Sequence, residues 1–268
     1  MVTKSQKNIK ILFIADIVGK PGRQIVKEVL PELKKEEGID FVIANGENMT
    51  SGNGMTKGCM EELLDVGVDF FTTGNHIWKK PEFFSELDKK ETPVIRPANY
   101  PPDSPGVGYK VVKTVFGKIL IVDILGRQGI NANVENPFSS IDEILKSTKG
   151  KYDLSIVDFH AEVTSEKVAF GLYLDGRVNA VIGTHTHVPT ADERIMPKGT
   201  AYISDAGMTG VKESVLGVKK DIIIELFKTG IPQKFEQETK GPRIFNSILI
   251  EIEKGGKTIS IQRVRREV

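Results

Sequence analysis

The stretch Phe70-Phe71-Thr72-Thr73-Gly74-Asn75-His76 reads as a short buried strand that ends at once in an amide and an imidazole. Aromatic and β-branched residues closed by glycine are a strand signal. The same unit stands twice upstream. Ile9-Lys10-Ile11-Leu12-Phe13-Ile14-Ala15 runs into Asp16, and Phe41-Val42-Ile43-Ala44 runs into Asn45-Gly46-Glu47-Asn48. Between them Ile25, Val26, Val29, Leu30 and Leu33 keep helical spacing over residues 21–37, with Pro21 suited to the first turn and Gly38 to a C-cap. A second helix is expected near residues 57–66. Strand, ligand-like residues and helix thus recur three times. In an open α/β sheet, functional residues gather outside the carboxyl ends of the strands.

Outward from there the pattern changes. Residues 93–105 are proline-rich and irregular, residues 107–115 and 118–125 read as a hairpin turning at Phe116-Gly117, and residues 126–137 as a long polar loop. A helix is expected near residues 140–147. The strand–motif–helix unit returns at residues 154–159 with His160, and a strand at 178–182 ends in Gly183-Thr184-His185-Thr186-His187. A short strand at 201–204, a helix at 221–228 and an antiparallel pair, 243–253 with 257–264 across Gly255-Gly256, complete the chain. Parallel βαβ units followed by hairpins imply an α/β chain of two packed mixed β-sheets flanked by helices. No internal repeat and no clean linker interrupts it, so a single domain, 1–268, is expected.

Composition narrows the function. Lys+Arg is 37 and Asp+Glu 36, a formal net charge of +1. Such balance gives no global pull toward nucleic acid or membrane, although a local basic patch stays open. Arg263-Val264-Arg265-Arg266 reads as a solvated strand end. Cys59 is the sole cysteine, so no intramolecular disulfide supports the fold, and its neighbours lack metal-ligand spacing. It reads as a small helix residue. The leading segment is polar and basic, the apolar run at 9–15 is too short for a signal peptide, and no run approaches the ~20 residues of a membrane span. A cytoplasmic protein is expected.

All four histidines lie in three short motifs: Asn75-His76, Asp158-Phe159-His160-Ala161-Glu162 and His185-Thr186-His187. Each has a plainer reading: Asp16 as a helix cap, Asn75-His76 as a surface turn, His160 as a buried hydrogen-bonded residue. Gly19-Lys20 invites a P-loop reading, but the Gly-x4-Gly-Lys-Ser/Thr pattern is absent. Alternate strand residues point to opposite faces, so His185 and His187 can serve neighbouring metals only where the chain leaves regular strand geometry, which Gly183 and Pro189 allow. Taken together, carboxylate, amide and imidazole at several strand ends are a ligand set for a pair of divalent metals. Without a thiolate it is no structural zinc site, and it suits Mn²⁺ or Fe²⁺, with Zn²⁺ compatible. Thr184, Glu162 and Asp192 are candidates to orient the histidines.

These motifs resemble the calcineurin-like metallophosphoesterase superfamily and, more closely, its YmdB-like branch of bacterial cyclic-nucleotide phosphodiesterases. Gly74-Asn75-His76 matches the superfamily pattern outright, and Gly183-Thr184-His185-Thr186-His187 matches with one Thr inserted. Asp16-Ile17-Val18 lacks the usual first His, and Gly46-Glu47-Asn48 has Glu for Asp, both as in that branch. Residues 158–167, 184–192 and 205–210 are also branch-like. The resemblance implies the four-layer α/β/β/α sandwich of the family. It implies one metal held by Asp16, Glu47, Asn48 and His187, and a second by Glu47, Asn75, His160 and His185, with Glu47 bridging. His76 would be the catalytic residue, and a metal-bridging hydroxide would attack the phosphorus of a cyclic nucleotide (2′,3′ or 3′,5′). Ile77 stands where many members carry a carboxylate to orient that histidine. The nucleotide base would rest on the loop around Tyr100 or the loop after Arg127. A phosphomonoesterase, nucleotidase or protein phosphatase on the same site, or a non-catalytic metal-binding scaffold, are the alternatives. A homo-oligomer is compatible with the chain.

Overall fold

The structure, a computed structural model, describes residues 8–268; the polar, basic leading segment lies outside them. One sheet is built on β1 (Ile9–Ile14), β2 (Asp16–Ile17), β3 (Phe41–Asn45) and β4 (Phe70–Thr72), with α1 (Gly19–Glu37) and α2 (Lys57–Leu64) in the connections. After a 3-10 turn at Asn75–Lys79 and a short α3 (Phe84–Leu87), the second sheet begins with the hairpin β5 (Tyr109–Thr114) and β6 (Gly117–Leu125). It continues through α4 (Pro137–Thr148), β7 (Leu154–His160), α5 (Thr164–Leu174), β8 (Ala180–Thr184), β9 (Arg194–Ile195) and β10 (Ala201–Ile203). The chain then returns to the first sheet as β11 (Met208–Val211), α6 (Lys220–Thr229), β12 (Arg243–Ile252) and β13 (Thr258–Glu267).

The sheet orders are β2-β11-β12-β1-β3-β4, with β13 on β12, and β5-β6-β7-β8-β10-β9. The neighbours β1–β3–β4 and β6–β7–β8–β10 are parallel, whereas β12 runs antiparallel to β1. In the second sheet β5 runs antiparallel to β6 and β9 to β10, so both sheets are mixed, and helices lie on their outer faces, as the resemblance implied.

Period-2 alternation explains the layering. Ile9, Ile11 and Phe13 of β1 join Ile119 and Ile121 of β6 and Leu154 and Ile156 of β7 in one core between the sheets. Their neighbours Leu12 and Ile14 pack instead under α1 and α2. Leu120, Val122 and Val157 pack with Ile141 and Phe170 of α4 and α5. Strands buried on both faces read as unbroken apolar runs, which is why these segments were readable.

The structure also moves several boundaries. The hairpin turns at Val115-Phe116, one residue earlier than expected, because Thr114 pairs with Gly117. Helix α4 starts at Pro137 rather than near residue 140, since the Asn136 side chain accepts from the Phe138 N–H and Pro137 fits the first turn. The strand expected at 178–182 sits two residues later, at β8. The strands β2, β9 and β11 went unforeseen: they have two, two and four residues and no periodicity to read. Among the described residues, no helix is long and apolar enough to cross a membrane.

Candidate metal centre

The inter-sheet face changes chemistry at the carboxyl ends of its strands. Two residues beyond Ile43 lies Asn45; beyond Phe70, Thr72; beyond Ile121, Asp123; beyond Ile156, Asp158 and then His160; beyond Ile182, Thr184. The alternation that sends the isoleucines inward sends these polar groups inward too, and all six are buried. They pair with one another and with near neighbours, except at Asp123 Oδ1, which has no partner. Asp158 accepts from Thr184 Oγ1 at 2.6 Å, Thr72 Oγ1 at 2.5 Å and Asn45 Nδ2 at 3.0 Å, while Asp123 accepts from the Thr73 N–H at 2.8 Å. Apart from His160, named as a ligand, and Thr184, named as an orienting partner, this polar floor was missed from sequence. The signal was present, as a polar residue in phase with the inward apolar ones.

On this floor the structure brings together the residues singled out from sequence. Glu47 Oε1 lies 3.2 Å from His160 Nε2 and 3.3 Å from His76 Nδ1. His185 Nδ1 lies 3.0 Å from His160 Nε2. Glu47, His160 and His185 each offer a ligand atom within 4.8 Å of the others. His187 Nε2 lies 3.2 Å from Asn48 Nδ2 and 3.8 Å from Asp16 Oδ1. Asn75 follows Gly74, where any side chain would run into Glu47 and His160.

Partner chemistry fixes which nitrogen each histidine turns to the centre. The one proton of the Thr184 hydroxyl goes to the Asp158 carboxylate, so Thr184 Oγ1 accepts from His160 Nδ1–H at 2.8 Å, leaving Nε2 inward. The Leu216 carbonyl can only accept, so His187 donates Nδ1–H to it at 3.1 Å and presents Nε2. Glu162 Oε2 stands 3.1 Å from His185 Nε2, so His185 presents Nδ1. Asp192, by contrast, meets no histidine: it accepts from Thr190 and Ser204. His76 is oriented by Asn48 Oδ1 at 2.8 Å, which fills the part of the carboxylate absent at position 77.

The turn carrying His185 and His187 leaves strand geometry as expected, through left-handed φ values of 98° and 66° at the histidines themselves. Such backbone costs on the order of 1–3 kcal/mol per residue. Gly183, the last small residue before it, lies where a Cβ would strike the Ser204 carbonyl of the neighbouring chain segment.

Electrostatics set the centre apart. Burial pulls the His160 pKa down, but Glu47, then Asp16 and Asp158, outweigh it and push it up to about 10. Burial and the neighbouring His160 push His185 down to about 3. Burial raises Asp16 to about 8, against the pull of His160. Glu47 is held well below the usual carboxylate range because His160 and His76 overcome its burial. Among the described residues, the buried acceptors without a hydrogen-bond partner include Asp16 Oδ1 and Asn75 Oδ1, together with Asp123 Oδ1 of the polar floor. Leaving such a group unpaired costs about 1–3 kcal/mol. Imidazole nitrogens and carboxylates converging beside orphaned acceptor oxygens are what a cation site requires once a metal displaces the His160 proton, so this donor set fits divalent metals.

Beyond the 3-10 turn that carries His76, Tyr100 meets Trp78 edge-on at 5.2 Å, and Trp78 meets Phe84 at 5.7 Å. Tyr100 also packs with Leu125, Ile130 and Val134. The two loops named as alternative walls for a base thus pack against each other.

Comparison with known proteins agrees with this geometry. The family described as YmdB-like protein matches residues 12–264. A Bacillus subtilis (strain 168) protein named 2′,3′-cyclic-nucleotide 2′-phosphodiesterase is 42% identical over 257 residues, covering 96% of each chain. A hypothetical protein from Thermus thermophilus superposes with a TM-score of 0.90 at 38% identity, covering 97% of this chain and 99% of that one. A Mycoplasma pneumoniae structure described as a novel phosphatase gives 0.91 at 38%, covering 98% and 94%.

Proposed function

The chain belongs to the YmdB-like family, and from that premise we propose that it is a dinuclear metal-dependent phosphodiesterase acting on a cyclic nucleotide, 2′,3′-cyclic before 3′,5′-cyclic. The observation that carries the reading is the convergence of Glu47, His160 and His185, each with a ligand atom within 4.8 Å of the others, with the orphaned Asp16 Oδ1 3.8 Å from His187 Nε2. One cation would be held by Asp16, Glu47, Asn48 and His187. The other would be held by Asn75, His160 and His185, with Glu47 shared. Fe²⁺ or Mn²⁺ suits this set, and Zn²⁺ is compatible. When bound, such a pair polarises phosphoryl oxygens and makes water a strong nucleophile at neutral pH.

The chain's own residues do the rest. Breaking the P–O2′ bond of a 2′,3′-cyclic nucleotide leaves a 3′-phosphate and requires a proton on O2′. His76, about one-third exposed beside the buried cluster, is the group placed to supply it. Its backbone N–H donates to Glu47 Oε2 at 2.9 Å, which anchors it to the centre. Asn48 couples the two tasks. Here its NH₂ faces Glu47 and His187 and its oxygen faces His76. Serving as a ligand needs the amide turned by half a turn, which presents NH₂ to His76 Nδ1 and moves the ring proton to Nε2. The wall of Tyr100, Trp78 and the 126–136 loop supplies apolar and aromatic surface for a base. A single domain carries all of these parts.

Hydrolysis of bis(p-nitrophenyl) phosphate by Mn²⁺- or Fe²⁺-loaded protein, against protein stripped of metal, is the test. Metal-dependent diester cleavage exceeding monoester cleavage is expected, and 2′,3′- and 3′,5′-cyclic nucleotides then divide the substrate class. Faster monoester turnover would favour the phosphatase reading suggested by the Mycoplasma structure's description. Two bound metals with no cleavage of any ester would leave a scaffold.

A further inference from the structure

Behind the centre, on the side away from the inter-sheet floor, a lysine and an aspartate are buried together. Lys167 on α5 is 2% exposed and Asp205 is 1% exposed, and Lys167 Nζ lies 2.5 Å from Asp205 Oδ2. Burying an ion pair is a poor way to gain stability, since apolar residues of similar volume serve as well or better. What distinguishes this pair is where its hydrogen bonds go. Lys167 Nζ donates to the Thr184 carbonyl at 2.7 Å, directly before His185. Asp205 Oδ2 accepts from the Thr186 N–H at 3.1 Å, between the two histidines. The Asp205 carbonyl accepts from the Thr190 N–H at 3.0 Å, and its own N–H donates to Thr190 Oγ1 at 2.9 Å, just past the turn. The pair therefore grips the segment before, within and after the left-handed residues His185 and His187. Neither side chain contacts a histidine ring.

We propose that Lys167 and Asp205 are positioning residues that clamp the His185-Thr186-His187 turn from behind and thereby set the cation affinity of the centre without touching cation or substrate. The proposal rests on the dinuclear reading for its second half only. The carbonyl and the amide gripped by the pair are backbone groups, so the clamp fixes the direction of both imidazoles at once. Ligand-orienting partners outside a metal's own shell typically change affinity by about 10–100-fold.

The test uses the full chain, Lys167→Met, Asp205→Asn and a remote control, Ile144→Ala on α4, chosen to lower Tm without approaching the site. In metal-stripped wild type, the Thr186 amide is expected to exchange with solvent as slowly as the amides of β8. It should exchange at least about tenfold faster in the Lys167 and Asp205 variants than in the control. Titration of the folded proteins with Mn²⁺ alone should show affinity at least about tenfold weaker in both variants and unchanged in the control. Fast Thr186 exchange in the wild type, or a folded variant with wild-type exchange and Mn²⁺ affinity, overturns the proposal. If Lys167→Met does not fold, the near-isosteric Asp205→Asn and the wild-type exchange rate decide. A wild type that binds no Mn²⁺ defeats the dinuclear reading, and the exchange comparison still judges the clamp.

Discussion

His160 and His185 face each other across 3.0 Å, yet the chain holds them by different means. His160 ends a regular strand, is wholly buried, and is fixed by a buried relay through Thr184 to Asp158. His185 stands on a left-handed turn, keeps part of its ring exposed, and leans on Glu162, whose side chain is half in solvent. The first is positioned by the sheet, the second by contacts that sequence spacing does not encode. Strand-borne ligands inherit their direction from alternation, whereas a turn-borne ligand has to be held in a backbone conformation that it would not choose.

The largest expected effect removes what both histidines share. Glu47→Ala should lose both cations and lower diester cleavage to the level of stripped protein, as read by metal analysis and turnover. Gly74→Ala should do nearly the same by steric means, because its Cβ would enter the space of Glu47 and His160 Nε2. Normal metal content in either variant would break the picture of one converged centre. His76→Ala comes next. It should slow turnover by about 10²–10⁴-fold while leaving metal content intact, because His76 is assigned to proton transfer rather than to binding. Metal loss in that variant would move His76 into the ligand set.

The same contrast explains what could be read beforehand. The runs at residues 9–15, 41–44 and 154–159 were legible because buried parallel strands are nearly all apolar, and their terminal Asp16, Glu47 and His160 stood out against that background. Asp123 and Asp158 carried an equally plain signal, in phase with Ile121 and Ile156, but only knowledge of which face is inward makes that phase meaningful. The grip of Lys167 and Asp205 on the turn was out of reach. It joins α5 to a segment 38 residues further on, and although Lys167 and Asp205 lie in the stretches 158–167 and 205–210 singled out from sequence, nothing in their spacing predicts contact. Asn48 as the partner of His76 was equally hidden, since it depends on two strand-end loops meeting.

Thr184→Val sharpens the comparison on the sheet side. It keeps the shape of the residue but removes the hydroxyl that accepts from His160 Nδ1 and donates to Asp158. His160 then loses the contact that directs Nε2 inward, and the buried Asp158 loses a donor. Affinity for the cation assigned to His160 should fall by about 10–100-fold, while the one assigned to His187 is little changed, so calorimetry should show two classes of site moving apart. Equal weakening of both would mean that the relay supports the whole centre.

Glu162→Ala makes the matching cut on the turn side and should do least. Glu162 Oε2 accepts from His185 Nε2 at 3.1 Å, but its side chain is 51% exposed. Water can replace a carboxylate there, and an exposed charged contact is worth only about 0–1 kcal/mol. One kcal/mol corresponds to about a fivefold change, so cation affinity should weaken by no more than about that factor. The direction of His185 would persist because its own N–H still donates to Asp16 Oδ2 at 3.2 Å and the backbone on either side stays gripped from behind. A loss as large as that of Thr184→Val would mean that the exposed carboxylate, and not the backbone of the turn, aims the ring. The contrast between a sheet-held and a turn-held ligand would then reduce to two side-chain relays of the same kind.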